Sequence, residues 1–153
     1  MSEVKRPLEG VKVLELATFI AAPCCARFLA DLGAEVIKVE APAGAPLRYT
    51  AVNEGRPQDQ KENTSYDLEN AGKTCVCLNT KTAAGREALE KLIAEHKPKF
   101  VYLIPTFGNP SGAMLSLERR KAVLEMAVKH NTLIVEDDPY GDLYFGDAPP
   151  PSL

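Results

Sequence analysis

Short apolar runs alternate along this chain with longer stretches in which apolar residues return every third or fourth position. Lys12-Val-Leu-Glu-Leu-Ala17, Ala34-Glu-Val-Ile-Lys-Val-Glu40, Thr74-Cys-Val-Cys-Leu78, Lys99-Phe-Val-Tyr-Leu-Ile104 and Thr132-Leu-Ile-Val-Glu136 each read as a strand. The first is short and apolar, as a strand buried on both faces should be. A helix follows it from near Ala21. Pro23 suits its first turn, where a missing N–H costs nothing. Cys25, Phe28, Leu29 and Leu32 stand at i, i+3, i+4 and i+7 and predict one apolar face turned to the core. Gly33 is the expected residue just past the helix, where the backbone turns left-handed. Thr82 predicts the cap of a helix running to about Glu95, with Leu89, Leu92 and Ile93 inside and a Glu87–Lys91 pair outside. His96-Lys-Pro98 breaks it. Ser116 predicts a further cap, with Leu117, Leu124, Ala127 and Val128 facing inward and Asn131 closing the helix.

The remaining segments connect these elements. Ala41 to Tyr66 is charged and punctuated by Pro42, Gly44, Pro46, Gly55 and Pro57, which predicts no helix or strand of any length. Loops this long in compact domains are usually functional or mobile. Asp67 to Lys73 reads as irregular or a short turn, Asp138 to Leu143 as a helical turn, and Pro149 to Pro151 as a ragged end. Alternating strands and helices predict an α/β fold: a single open parallel five-stranded sheet with helices on both faces. The economical order is 3-2-1-4-5, Rossmann-like or flavodoxin-like, with right-handed crossovers. The topological switch then lies between strands one and four, and a ligand is expected between loops Thr18–Pro23 and Thr106–Gly112.

Composition narrows the function classes. A length of 153 residues suggests one domain, and 45% hydrophobic with 25% charged residues is ordinary for a globular protein. A net charge of −3 without a basic run argues against a nucleic-acid partner. No apolar run is long enough to span a membrane, and the N-terminus lacks a signal-peptide core, so a cytoplasmic setting is expected. Cys24, Cys25, Cys75 and Cys77 match no standard metal-ligand spacing, so no metal is expected. The plainer reading is free, buried, reduced cysteine acting as a small hydrophobe.

Glu40 ends the second strand where a ribose-binding acid would sit in a dinucleotide site. The turn Thr18-Phe-Ile-Ala-Ala-Pro23 has no glycine, however, and cannot bring its backbone close to a pyrophosphate. A solvated carboxylate at a strand end is the plainer reading. The helix near Ala21 offers unpaired N–H groups and a positive dipole end to the crevice, and Lys38 and Lys73 could add charge for a phosphate.

Several motifs occur in order over residues 6–95. They are Arg6-Pro-Leu-Glu-Gly-Val-Lys-Val-Leu-Glu-Leu, Ala-Ala-Pro23, Leu29-Ala-Asp-Leu-Gly-Ala-Glu-Val-Ile-Lys-Val-Glu40, Pro46-Leu-Arg48, Glu69-Asn-Ala-Gly-Lys73, Leu78-Asn-Thr-Lys81 and Gly85-Arg86. This region resembles the N-terminal part of a class III CoA-transferase, of the type acting on 2-hydroxy acids. Ala45 stands where the family pattern tends to have an acid. The resemblance implies CoA contacts near Phe19, Ala21 and Pro23, and at Lys38 and Lys73. It also implies a nucleophilic aspartate further along the family chain, in a segment absent here, together with a second domain and interlocked dimers.

Residues 97–147 resemble something else. The run Pro98-Lys-Phe-Val-Tyr-Leu-Ile-Pro-Thr-Phe-Gly-Asn-Pro-Ser-Gly112, followed by Leu133-Ile-Val-Glu-Asp-Asp-Pro-Tyr140, is similar to the large domain of a fold-type I, pyridoxal-phosphate-dependent aminotransferase. The resemblance implies Asn109 and Tyr140 on the phenolic oxygen of pyridoxal phosphate and Asp137 on its pyridinium nitrogen. It places the Schiff-base lysine after Leu153 and the glycine-rich phosphate loop before residue 97, where CoA-transferase-like sequence stands.

Natural fusions normally join complete domains at linkers. Here two resemblances meet near Glu95–Lys97, inside one predicted sheet. The expectation is therefore an engineered chimera: one α/β domain over 1–153, composed of fragments 1–96 and 97–153 and made to test folding. It would carry no catalytic residue, no parental activity and no bound cofactor. The alternatives are a module still holding CoA or an anionic nucleotide, and a residual pyridoxal-phosphate binder. The expected partners are at most a weakly held anion or CoA, with the chain a monomer or weak homodimer.

Overall fold

A computed structural model describes residues 5–55, 63–108, 112–146, 148 and 151–153. The strands are β1 (Lys12–Glu15), β2 (Glu35–Glu40), β3 (Thr74–Cys77), β4 (Phe100–Leu103) and β5 (Leu133–Glu136). The helices are α1 (Ala21–Asp31), α2 (Thr64–Asn70), α3 (Ala83–His96) and α4 (Leu117–Lys129). All five strands are parallel, in the order β3-β2-β1-β4-β5. This is the expected topology, and the switch falls between β1 and β4. There Val13, Leu14 and Glu15 pair with Phe100, Val101 and Tyr102.

The sheet divides the core in two. Leu14, Ile37, Val39, Val101 and Leu103 form the main cluster with Leu89 and Ile93 of α3, and Val123 and Met126 of α4 pack against it. Val13 and Val36 point the other way and meet Ala26 and Ala30 of α1. The caps form as expected. Thr82 Oγ1 accepts from Gly85 N–H at 3.1 Å and Ser116 Oγ from Arg119 N–H at 3.4 Å. Gly33 and Asn131 follow their helices at φ +103° and +50°.

Several expectations need correction. The buried face of α1 is Ala22, Pro23, Ala26 and Ala30, while Phe28 is 64% and Leu32 46% exposed. Small side chains at i, i+4 and i+8 let the helix approach the sheet closely, so they win over the bulkier stripe beside them. In α4 the expected inner residues Leu117, Leu124 and Val128 are exposed, and Arg120 is the buried one. The segment 41–66 is not irregular throughout. It contains a 3-10 helix, Pro46–Glu54, and the start of α2, capped by Asn63. Buried Ala45, Leu47 and Tyr66 form a satellite core there with Phe19 against it, which supplies the apolar drive that local composition hides. The cysteines are free, but Cys24 and Cys25 are half-buried and Cys75 and Cys77 exposed, because β3 is an edge strand.

Candidate functional site

At the C-terminal edge of the sheet the β1–α1 turn faces the ends of β4 and β5. A cleft of about 160 Å³ lies between them. Phe19, Ala21 and Pro23 line one side, Ile104 the middle, and Asp137 and Tyr140 the other. The structure therefore brings together five of the eight expected site residues, three of one resemblance and two of the other. Asn109 lies outside the described residues.

Lys38 and Lys73 sit elsewhere, beneath α1. Lys38 Nζ donates to Glu15 Oε1 and, at 3.1 Å, to Ala17 O. Lys73 Nζ donates to Glu15 Oε2 at 2.8 Å, Pro23 O at 2.7 Å and Asn70 Oδ1 at 3.2 Å. All three charged side chains are buried. Burial lowers the Lys73 pKa, and Glu15 opposes that shift. These lysines hold the first turn of α1 against β1 rather than lining the cleft. Glu15, which sequence reasoning passed over, is their shared counterion. Its signal was available: two charges, Glu15 and Lys38, inside short apolar runs that read as central strands buried on both faces.

Glu40 is neither solvated nor open to a ribose. Arg48 Nε donates to its Oε2 at 2.8 Å and Arg48 Nη2 to Oε1 at 2.9 Å. Ala45 N–H adds a bond to Oε2 at 3.0 Å, and the Tyr66 hydroxyl donates to Oε1. Burial alone would raise the Glu40 pKa, but these donors outweigh it and hold the carboxyl at about 2. The Arg48 guanidinium also stacks over the Tyr66 ring at 3.8 Å. The clamp fastens the 41–66 segment to the end of β2.

The cleft at Asp137 fits pyridoxal phosphate poorly. Asp137 Oδ2 already accepts the Tyr102 hydroxyl at 2.6 Å, and burial with that bond raises the Tyr102 pKa. Among the described residues no lysine lines the cleft. Its volume also falls below the roughly 300–1,000 Å³ of usual ligand pockets, too small for a whole CoA. On the other side of the sheet edge a second recess, about 240 Å³, is lined by Thr18, Ile104, Gly108, Ala113 and Arg119 among others. It continues between α3 and α4 into a third of about 300 Å³, with Arg86 and Arg119 over Leu89, Val123 and Met126. A carboxylate thus faces the α1 side of the crevice, and a cation the α4 side. Among the described residues no cluster of three His, Cys, Asp or Glu could hold a metal, and no helix is long and apolar enough to cross a membrane.

Comparison with known proteins finds two families in the chain. Residues 8–96 match the model of CoA-transferase family III, and residues 69–153 that of aminotransferase class I and II. The chain belongs to both families. The matches overlap over 69–96, so β3 and α3 fit either. Two family models and relatives of both kinds in one short chain fit a chimera of the two. It is 48% identical over 124 residues to the cinnamoyl-CoA:phenyllactate CoA-transferase of Clostridium sporogenes, covering 81% of this chain and 26% of that one. It is 46% identical over 67 residues to the 2-aminoadipate transaminase of Thermus thermophilus, covering 44% of this chain and 17% of the other. The crystal structure of a hypothetical Mycobacterium tuberculosis protein, Rv3272, superposes with a TM-score of 0.70 at 25% identity, covering 95% of this chain and 37% of that one. The chain spans about a quarter of the CoA-transferase relative's length and less of the transaminase's. Each family is therefore present only as a part.

Proposed function

We propose that the chain is an engineered α/β chimera, made to test whether fragments of two enzyme families fold together, and that it performs neither parental reaction. The observation that carries this reading is the β1–β4 pairing. Val13, Leu14 and Glu15, inside the CoA-transferase match, pair with Phe100, Val101 and Tyr102, which only the aminotransferase match covers. No linker separates the two parts, as it would in a fusion of complete domains. The cleft chemistry agrees, since Asp137 is held by Tyr102 and, among the described residues, no lysine lines the cleft. The test pairs two assays: CoA transfer from cinnamoyl-CoA to phenyllactate, and transamination of 2-aminoadipate with added pyridoxal phosphate. Neither should exceed the uncatalysed rate. Stoichiometric trapping of pyridoxal phosphate on a single lysine by borohydride would overturn the reading.

A second reading is favoured by Arg119. We infer that the crevice between Thr18 and Gly108 holds an anion weakly, on the Arg119 side rather than beside Asp137. The crevice joins two loops that were never matched, and a site misplaced by an ångström loses much of its value. The expected affinity is on the order of millimolar. Chemical-shift mapping with sulfate, phosphate and CoA should perturb Thr18, Gly108 and Arg119. Shifts centred on the N-terminal ends of the strands would refute it.

A further inference from the structure

α3 and α4 cover the same face of the sheet, and the main core lies beneath both. At one end they are tied together. Glu90 of α3 accepts from Lys129 of α4 at 2.5 Å and lies 3.3 Å from His130. Toward the other end the recess of about 300 Å³ opens between them. Its floor is apolar. Leu89 and Leu103 are buried there, and Leu115, Val123 and Met126 are half-buried against the same cluster. This volume reaches the roughly 300–1,000 Å³ of usual ligand pockets, which the cleft beside Asp137 does not.

Two cations mark the rim. Arg86 and Arg119 both line the recess, and among the described residues no carboxylate does. Arg119 is exposed, and its guanidinium bonds to no described residue. Arg86 gives Nη1 to the carbonyls of Lys81 and Thr80, at 3.0 and 3.5 Å, which leaves Nε and Nη2 without a described partner. Both arginines stand in the first turn of their helices, α3 starting at Ala83 and α4 at Leu117. The helix dipole disfavours a cation there. Two like charges at two positive helix ends, above an apolar floor, are both offset by one anion with an apolar remainder.

We propose that this recess binds a straight-chain fatty acid, its carboxylate between Arg86 and Arg119 and its tail along α4. The wall sets the length of the tail. Arg119, Ala122, Val123 and Met126 line it, and from Arg119 to Met126 the helix rises about 10 Å, room for a tail of roughly eight carbons. The anion crevice at Thr18 and Gly108 shares Arg119 but makes no use of a tail, so the two sites separate by experiment.

The test is calorimetric titration of the whole chain with butyrate, hexanoate, octanoate and decanoate, paired with methyl chemical-shift mapping. Affinity should rise about fourfold for each added methylene as far as octanoate, then level off. Octanoate should shift the methyls of Leu89, Val123 and Met126. Octyltrimethylammonium, with the same tail and the opposite charge, should bind about tenfold more weakly or not at all. Arg119→Gln should weaken octanoate about tenfold. Ala122→Trp, which fills the recess from an exposed position, should abolish binding, and circular dichroism identifies variants that keep the fold. Octanoate binding without binding of inorganic phosphate supports the recess and refutes the crevice. The proposal is overturned if affinity is independent of tail length, if octyltrimethylammonium binds as tightly as octanoate, if the shifts centre on the exposed Leu143 and Phe145, or if a folded Ala122→Trp binds octanoate as the wild type does.

Discussion

Lys73 and Glu15, 58 residues apart in the chain, meet at 2.8 Å beneath the first turn of α1. Lys38 approaches the same carboxylate from the neighbouring strand, so one buried acid serves two buried bases. Lys73 also reaches the carbonyl of Pro23, which ties the start of β3 to the start of α1. This cluster fixes the wall of the switch-point cleft without entering it.

Replacing Glu15 with Gln takes the shared counterion from both buried ammonium groups and leaves Lys73 only the weaker pull of Glu69. Breaking a buried pair from one side typically costs about 3–5 kcal/mol. Urea denaturation should show a loss of that order, and Lys38→Met, which spares the Lys73–Glu15 bond, should cost less. A Glu15→Gln variant within about 0.5 kcal/mol of wild type, the range of ordinary surface substitutions, would show that the cluster carries no stability.

Glu40 predicts an acid-dependent loss of stability. Its carboxyl sits at about 2 in the folded chain against an ordinary 4.5. A depressed folded value means that the stabilisation is complete above the unfolded pKa and is lost as pH falls from about 4.5 toward 2. The amount is on the order of 2–3 kcal/mol. Denaturation series at stepped pH should show this slope in wild type and a shallower one in Glu40→Gln. Equal slopes would refute the assignment.

One cooperative transition is expected across both family segments. Leu14 of β1 packs in the same cluster as Val101 and Leu103 of β4 and Leu89 and Ile93 of α3. Leu14→Ala should cost about 2–5 kcal/mol and shift the whole unfolding curve, by fluorescence and circular dichroism alike. Two separated transitions in calorimetry, only one of them moved by the substitution, would count against a single folding unit.

Gly85 is the position where adding one methyl should hurt most. A Cβ there would stand 2.0 Å from the carbonyl oxygen of Asn79, a backbone atom that cannot swing aside. Alanine usually gains up to about 1 kcal/mol over glycine in a helix. Here overpacking of about 1–3 kcal/mol should outweigh that gain. A thermal melt of Gly85→Ala above that of wild type would contradict the close approach.

Much of this fold was legible along the chain. Strand positions, the β3-β2-β1-β4-β5 order and the caps at Thr82 and Ser116 rest on local signals: short apolar runs, hydroxyls before helices, and the handedness of crossovers. The switch-point crevice follows from the order alone, which is why Phe19, Pro23, Asp137 and Tyr140 converge there. The two family segments were legible too, because their motifs are contiguous in sequence.

Tertiary structure alone decided which faces of α1 and α4 are buried and what the charges do. In α1 two stripes recur at helical spacing, Ala22-Ala26-Ala30 and Cys25-Phe28-Leu29-Leu32, and periodicity cannot rank them. Close approach to the sheet selects the small one. In α4 the apolar residues Leu117, Leu124 and Val128 are left exposed, while Arg120 is drawn inside by the carbonyls of Pro105, Leu115 and Pro151. Glu40 reads as a solvated strand end until Arg48, Tyr66 and the backbone of Ala45 arrive from a segment whose local composition forecast no structure. Hydrophobic periodicity is a property of neighbours in sequence. Burial, ion pairing and desolvation depend on neighbours in space, and those are set only when the sheet closes around them.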